Sequence, residues 1–444
     1  MKTNELEFET LKSNKNRLYL LCGIVCVVVL LITVIVSNTF AKYRVRDSVP
    51  IINSEINYKV PDLNMVSLYV ANEEGDYVEA DTIPSSGYIL NTEQSYCGQS
   101  NNGEIFKDDS VILTYENGSM TFSNVTAKGT KCYLYFDIEE ETSGESILAN
   151  YPTVLTRGDF NTTITEKTTG TIYYADTSKG RTYYFAGNPT DNWVKFAGFY
   201  WRIIRINEDG SIRLIYNGTR TSTTGSSSQI GTSGFNNLYN NNMYVGYMYQ
   251  SNQVHGLTTD STIKIELDQW YEENLQSHAD KISHDAGFCG DREPSTSSDN
   301  SNGLGGIGNT YTYYGTYIRL RTNKMPSFEC TNTADLYTVA SSSQGNKALD
   351  YPIGLITADE VAFAGGVYRN SNSSYFLYNG QDYWTISPSS TTNGNAVVFR
   401  MTLDGYLYTG DNVSGTYGVR PVINLSADVT ITGSGTTSDP YLIS

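Results

Sequence analysis

Residues 382–425 read DYWTISPSSTTNGNAVVFRMTLDGYLYTGDNVSGTYGVRPVINL. Apolar and polar residues alternate, and the alternation breaks at Asn393-Gly394, Asp404-Gly405 and Ser414-Gly415. This pattern predicts short antiparallel strands joined by tight turns. Trp384, Ala396, Phe399, Leu407, Tyr417, Val419, Pro421 and Ile423 form an apolar frame, expected to be core. The Ser, Thr, Asn, Gly, Asp, Arg and Tyr residues between them are expected to be displayed. Arg420 lies among apolar residues before Pro421. A buried arginine must be paired, so Arg420 is expected to tie strands or loops together.

Upstream, LITADEVAFAGG (355–366) predicts a short helix. Thr357 and Glu360 fit a capping box, and Gly365-Gly366 fit the exit. IKIELDQWYEENLQSHADKIS (263–283) places Leu267, Trp270, Tyr271, Leu275, His278 and Ile282 at helical spacing. Residues 180–218 alternate through Phe199, Trp201 and Ile203, turn at Asp209-Gly210 and return through Ile212, Leu214 and Tyr216, which predicts a hairpin. Residues 219–260 and 294–310 read as polar loops.

Residues 43–140 hold short alternating runs separated by turn signals at Asn117-Gly118 and Lys128-Gly129. They read as a small all-β sandwich. The polar, acidic stretch that follows suggests a linker over 141–160, with the second domain over 161–444. Leu18 to Val36 is an almost unbroken apolar run, about the length a bilayer core demands of a helix. Residues 18–37 are therefore expected to be a membrane-spanning helix or a signal segment, behind a cytoplasmic tail of residues 1–17. The large downstream part is then extracellular, or secreted if the segment is cut.

The balance of 30 basic against 47 acidic residues gives a net charge of −17, which argues against a nucleic-acid partner, since phosphate binding needs a basic surface. Polarity comes instead from Ser, Thr, Asn, 39 Gly and 36 Tyr, a mixture suited to an exposed binding surface. Four cysteines lie outside the apolar run, two in each expected domain. In an oxidising compartment they suggest Cys97–Cys132 and Cys289–Cys330 disulfides. Free buried thiols or a metal pair are the rival readings, but no C-x-x-C spacing or clustered His supports a zinc site. The three histidines, His255, His278 and His284, have no metalloprotease spacing and no nucleophile partner in sequence. No phosphate loop is present, and no catalytic residue, metal or cofactor is expected.

The order of hairpin, helix, helix and terminal β-meander, with the segments WRIIRINEDGSIRLIYNG, ALDYPIGLITADEVAFAGG, DYWTISP and TYGVRPVINL, resembles the C-type-lectin-like fold. It is similar to the branch shared by formylglycine-generating enzymes and the variable proteins of diversity-generating retroelements, and to surface domains of Gram-positive bacteria. The resemblance implies an α+β fold, a C-type-lectin-like domain behind a small all-β sandwich and an N-terminal transmembrane helix. In the variable proteins, chosen positions on the last strands are diversified. Carried over, these are Val397, Arg400, Thr402, Tyr406, Tyr408, Thr409, Gly410, Asp411, Ser414 and Gly415. The calcium-binding motifs of sugar-binding lectins are absent, and nothing after Cys330 is a cysteine, unlike the pair near the C-terminal end of the formylglycine enzymes. The resemblance thus implies a surface protein that binds an extracellular protein or glycan, with a structural subunit of a surface layer or biofilm matrix as the alternative and a formylglycine-generating-type oxidase further behind.

Overall fold

The computed structural model describes residues 65–101, 104–116, 118–125, 129–139, 141–295 and 311–444. The expected tail (1–17), the span (18–37) and most of the loop 294–310 lie outside the described residues. Among the described residues no helix is long and apolar enough to cross a membrane. The fold is α+β and strand-rich, with several sheets, and divides into two compact units at residues 140/141.

In the first unit, strand Thr130–Ile138 is the axis. Residues Cys132, Leu134 and Phe136 point to one face and are buried, while Lys131, Tyr133 and Tyr135 point to the other. That is the period-2 signature of a half-buried strand. Met65–Ala71 pairs with it in parallel, and Tyr96–Asn101 and Tyr88–Leu90 pair with it antiparallel. The hairpin Ile112–Glu116/Ser119–Ser123 supplies Leu113, Tyr115, Met120 and Phe122 to the same small core. Among the described residues the expected sandwich is thus one sheet faced by a single hairpin. Cys97 and Cys132 are cross-strand partners and form a disulfide. On the other face Tyr135 stacks on Tyr69 at 4.9 Å and Tyr133 on Tyr96 at 5.2 Å.

The second unit begins earlier than the sequence suggests. Residues within the expected linker form helix α1 (Ser143–Leu148), with both arms of a capping box between Thr142 and Glu145. Ile147 and Tyr151 are buried in the main core. Gly144 allows the contact: a Cβ there would lie 2.6 Å from the Gly210 carbonyl oxygen and 2.5 Å from Ile206. The acidic sequence looked like a join because only one turn of the helix is apolar.

The expected hairpin is β1 (Phe199–Ile206) and β2 (Ile212–Tyr216), paired antiparallel. Gly210 sits at φ +79°, and Asp209 accepts hydrogen bonds from the Ser211 amide and hydroxyl at 3.0 and 2.6 Å. Asp209 is therefore a turn residue. This hairpin belongs to a nine-stranded sheet. Helix α2 (Thr262–Asn274) buries Ile263, Leu267 and Tyr271. It ends nine residues before the sequence suggests, and 276–281 continues as a 3₁₀ segment kinked at His278. Helix α3 (Ala358–Ala364) has the expected Thr357/Glu360 capping box and a left-handed Gly365 at φ +115°.

The terminal stretch forms β3 (Tyr383–Thr392), β4 (Asn395–Met401), β5 (Leu407–Tyr408), β6 (Tyr417–Val419) and β7 (Val422–Leu425). Asn393 at φ +51° and Gly394 at φ +76° turn β3 into β4, the hairpin geometry in which both central residues are left-handed. Strands β3–β6 lie in a six-stranded sheet, and β7 pairs with β2 in the nine-stranded one. One continuous run, Tyr417–Leu425, therefore stitches the two sheets together. Arg420 sits at the crossing, fully buried. It donates to the carbonyl oxygens of Tyr216 (3.1 Å) and Leu377 (2.8 Å) and to Asn217 Oδ1 (3.2 Å), so it does tie strands, through carbonyls.

Candidate functional site

The apolar frame of the terminal stretch is buried, except that Tyr417 is only half-buried. The expected display of every interleaved polar residue does not hold. Thr385, Ser387, Ser389 and Thr391 on β3 are all buried, as is Val397 on β4. The sheet is covered on both faces here. The α3 backbone at Ala358 donates to Ser387 Oγ (2.9 Å), Tyr314 N–H donates to the Ser389 carbonyl (3.1 Å), and Thr385 Oγ1 donates to the Phe399 carbonyl (2.8 Å). The Thr385 and Ser387 hydroxyls bond locally, whereas Ser389 Oγ has no hydrogen-bond partner among the described residues, so polarity along this strand does not mark a surface.

Thr402 is also buried, closing the Asp404-Gly405 turn through Tyr406 N–H to Oγ1 at 3.2 Å. Ser414 is half-buried and held by Asn412 Oδ1, 3.1 Å from its N–H and 2.7 Å from its hydroxyl. The remaining candidates come together. Arg400 leaves the end of β4 directly opposite Tyr408. Its guanidinium donates to Asp411 Oδ2 at 2.6 and 3.1 Å and to Asp382 Oδ1. The Tyr417 and Tyr408 rings lie 4.3 and 5.0 Å from it, within cation–π range. Tyr406 packs edge-on to Tyr408 at 6.0 Å. Thr409 Oγ1 is 3.3 Å from the Tyr368 hydroxyl. Gly410 is exposed and makes room for the Tyr408 hydroxyl, which a Cβ would meet at 1.9 Å; Gly415 is half-buried beside the Tyr417 ring.

Arg400 is the keystone of this patch. Its side chain is only 11% exposed. Burial pulls its pKa down, but Asp411 and Asp382 more than offset that, so the pKa is raised and the charge is fixed. The fixed charge holds two tyrosine faces in place, with Tyr406 alongside. Such rigid aromatic groups offer contact area at small entropic cost. Asp382, Tyr368 and Tyr417 are members that the carry-over did not include. They come from other strands and loops, and nothing local in the sequence links them to Arg400.

Two other charged clusters, around Arg205 and around Lys264, are internally satisfied. Cys289 and Cys330 form the second disulfide. Beside it lies a cleft of about 670 Å³ with walls including Lys179, Arg205, Glu208, Asp285 and Phe328. Its size suits a small ligand, but Arg205 is already shared between Glu208 (3.5 Å) and Glu360 (3.3 Å). Asp260, Asp268 and Asp350 place one oxygen each within 4.8 Å of one another. The Lys264 ammonium fills that position, 2.5–3.5 Å from each. Ser341 Oγ lies 2.8 Å from His284 Nδ1, a pairing the sequence did not reveal, but both residues are exposed and Asp285 bonds Ser342 and Ser343 instead.

His255 has a carboxylate at each ring nitrogen: Asp335 at 3.1 Å from Nδ1 and Glu293 at 3.2 Å from Nε2. The Asp335 hydrogen bond raises its pKa above the usual 6.5, against the opposing effect of burial. A histidine with a raised folded pKa contributes stability that is complete below the unfolded value, about 6.5, and is lost as pH rises through the folded value. We expect the His255 ring to titrate above 6.5 by NMR. A midpoint at or below that value would contradict the ion pair.

No family model matches the chain, and neither a curated protein nor a solved structure matches it.

Proposed function

We propose that the chain is a bacterial cell-surface binding protein. Its second unit, read as C-type-lectin-like in arrangement, captures an extracellular protein or glycan on the face built around Arg400, Tyr406 and Tyr408. The observation that carries this reading is the ion-paired Arg400, which fixes the rings of Tyr408 and Tyr417 on either side of it. A small set of anchored aromatic and arginine side chains is how binding surfaces concentrate their energy. The two disulfides favour an oxidising, extracellular compartment. The partner sites are Tyr406, Tyr408, Thr409 and the exposed side of Asp411; Val397, Thr402 and Ser414 support the scaffold.

The test is a binding screen of the full chain on arrays of extracellular polysaccharides and proteins, repeated with Tyr406→Ala/Tyr408→Ala. Any true ligand should lose at least about tenfold in affinity, roughly 1.4 kcal/mol, while Tm moves by no more than about 3 °C. Binding that ignores both tyrosines would sink the proposal. Arg400→Ala is a poor probe of binding, because it also leaves Asp382 and Asp411 without their counter-charge. It should cost about 1–3 kcal/mol of stability, the range for a lost charged hydrogen bond.

A further inference from the structure

Three basic side chains gather beside the Arg400 face of a chain that has 47 acidic and 30 basic residues. Among the described residues, Arg321, Lys324 and Arg369 have no carboxylate partner, whereas Arg400, Arg319, Arg205 and Lys264 are each ion-paired with two or more. All three lie on tyrosine faces instead. The Lys324 ammonium is 5.6 Å from the Tyr368 ring centre, and the Arg369 guanidinium is 5.5 Å from Tyr368 and 5.6 Å from Tyr408. The Arg321 guanidinium is 5.0 Å from the Tyr317 ring and donates to its hydroxyl.

All three sit in unusual backbone geometry. Arg321 lies in the π-helical turn Ile318–Asn323, a rare geometry that recurs at functional sites. Lys324 closes that turn at φ +52°, and Arg369 sits at φ +54°. A left-handed non-glycine residue is strained by the approach of its Cβ to the following carbonyl oxygen. Such outliers cluster where a side chain must be aimed. Burial, reinforced by the adjacent Arg321, pushes the Lys324 pKa down. The like charges therefore repel one another, and an arriving anion would relieve that repulsion.

We propose that Arg321, Lys324 and Arg369, with Tyr317, Tyr368 and Tyr408, bind an anionic glycan, a polysaccharide bearing sulfate or carboxylate groups. This deepens the binding-protein reading and rests on it, since Tyr408 belongs to both surfaces. Two features favour a glycan over an acidic peptide. Asn323 and Asn370, both exposed, stand beside Lys324 and Arg369, and an amide offers donors and acceptors together, as rows of sugar hydroxyls require. The sheet edge at β5 is also closed to an added peptide strand. Tyr368 bridges Leu407 in parallel, Arg369 N–H donates to the Leu407 carbonyl at 3.1 Å, and Leu407 N–H donates to Val367 at 3.4 Å. Peptides that join a sheet need that ladder free.

The experiment measures binding of immobilised full chain to dextran sulfate, uncharged dextran and poly-glutamate at fixed ionic strength. Dextran sulfate should bind, dextran should not, and poly-glutamate should be at least tenfold weaker. Arg321→Gln/Lys324→Gln/Arg369→Gln should lower dextran sulfate affinity at least tenfold. Lys179→Gln/Lys195→Gln/Lys347→Gln, which removes the same charge from exposed positions elsewhere, should change it less than twofold. Poly-glutamate binding as well as dextran sulfate, an unaffected first variant, or an equal loss in the second each overturns the proposal. If Tyr406→Ala, which touches only the wider face, leaves every ligand untouched while the first variant still loses dextran sulfate, the wider binding face fails and the basic strip stands.

Discussion

Glu360→Gln is expected to destabilise the second unit by about 3–5 kcal/mol, the range for removing one partner of a buried ion pair. Glu360 lies at the start of α3 and is buried with Arg213. Its carboxylate is 2.5 Å from Arg213 Nε and 3.3 Å from Arg205 Nε, and also accepts the Thr357 N–H at 2.9 Å. Glutamine keeps the shape and can keep the cap, but leaves the Arg213 charge with only carbonyl and amide oxygens. Burial alone raises the Glu360 pKa, yet Arg213 and Arg205 outweigh it and the pKa is lowered. A depressed carboxylate contributes stability that is present above its unfolded pKa and lost as pH falls through the folded one. The gap between wild type and variant should therefore be widest near neutral pH and narrow in acid. All four tryptophans lie in the second unit, so fluorescence-detected urea unfolding reads it selectively. A loss below about 1 kcal/mol would show that the pair carries little.

Lys264→Ala should cost about 3 kcal/mol at neutral pH by the same reasoning, and it should recover in two ways. Lys264 is fully buried between Asp260, Asp268 and Asp350. Burial depresses its pKa, but the carboxylates more than compensate, and the pKa is raised. Asp268, buried and then partly relieved by Lys264, is pushed up to about 6. A carboxylate raised in the folded state favours folding at low pH, and that contribution disappears as pH rises from about 3.9 through about 6. Without the ammonium the three carboxylates repel one another, so the variant should regain stability on acidification from pH 7 to 5. Calcium at about 1 mM should also restore part of the loss, since three oxygens in that space suit a hard cation. A variant whose urea midpoint is indifferent to both pH and calcium would show that the three carboxylates do not act as one site.

The readable parts of the sequence were those with local signals. Thr357 and Glu360 are three residues apart and Asp209-Gly210 are adjacent, so the cap and the hairpin could be read directly. The disulfides followed from two cysteines per unit. What stayed hidden depends on distant segments meeting. Alternation along β3 suggested a displayed face, but α3 and the segment after Tyr311 cover it, so Thr385 and Ser387 are interior. Arg319 reaches Asp291 and Asp359 at 2.6 and 2.8 Å, across 28 and 40 residues of chain. Of the positions carried over by resemblance, Arg400, Tyr406, Tyr408, Thr409 and Asp411 share one patch, because β4 and β5 pair. Val397 and Thr402 turn inward, because one strand is buried on both sides and one turn needs a hydroxyl acceptor.

The two extremities of the second unit are fastened to each other. Ser143 N–H donates to the Ala427 carbonyl at 2.7 Å, the hydroxyls of Tyr151 and Tyr441 are 3.3 Å apart, and Tyr441–Ile443 adds in parallel to Trp193–Phe196. A short peptide linking Ser444 back to Glu141, with new ends cut at the exposed Asn393 tip, should therefore yield a circular permutant that folds. In the unpermuted protein the same closure means that a pull applied through residue 141 is met first by the hydrogen bonds of Ser143 and Gly144 to Ala427 and Gly210, so the unit does not unravel freely from its beginning.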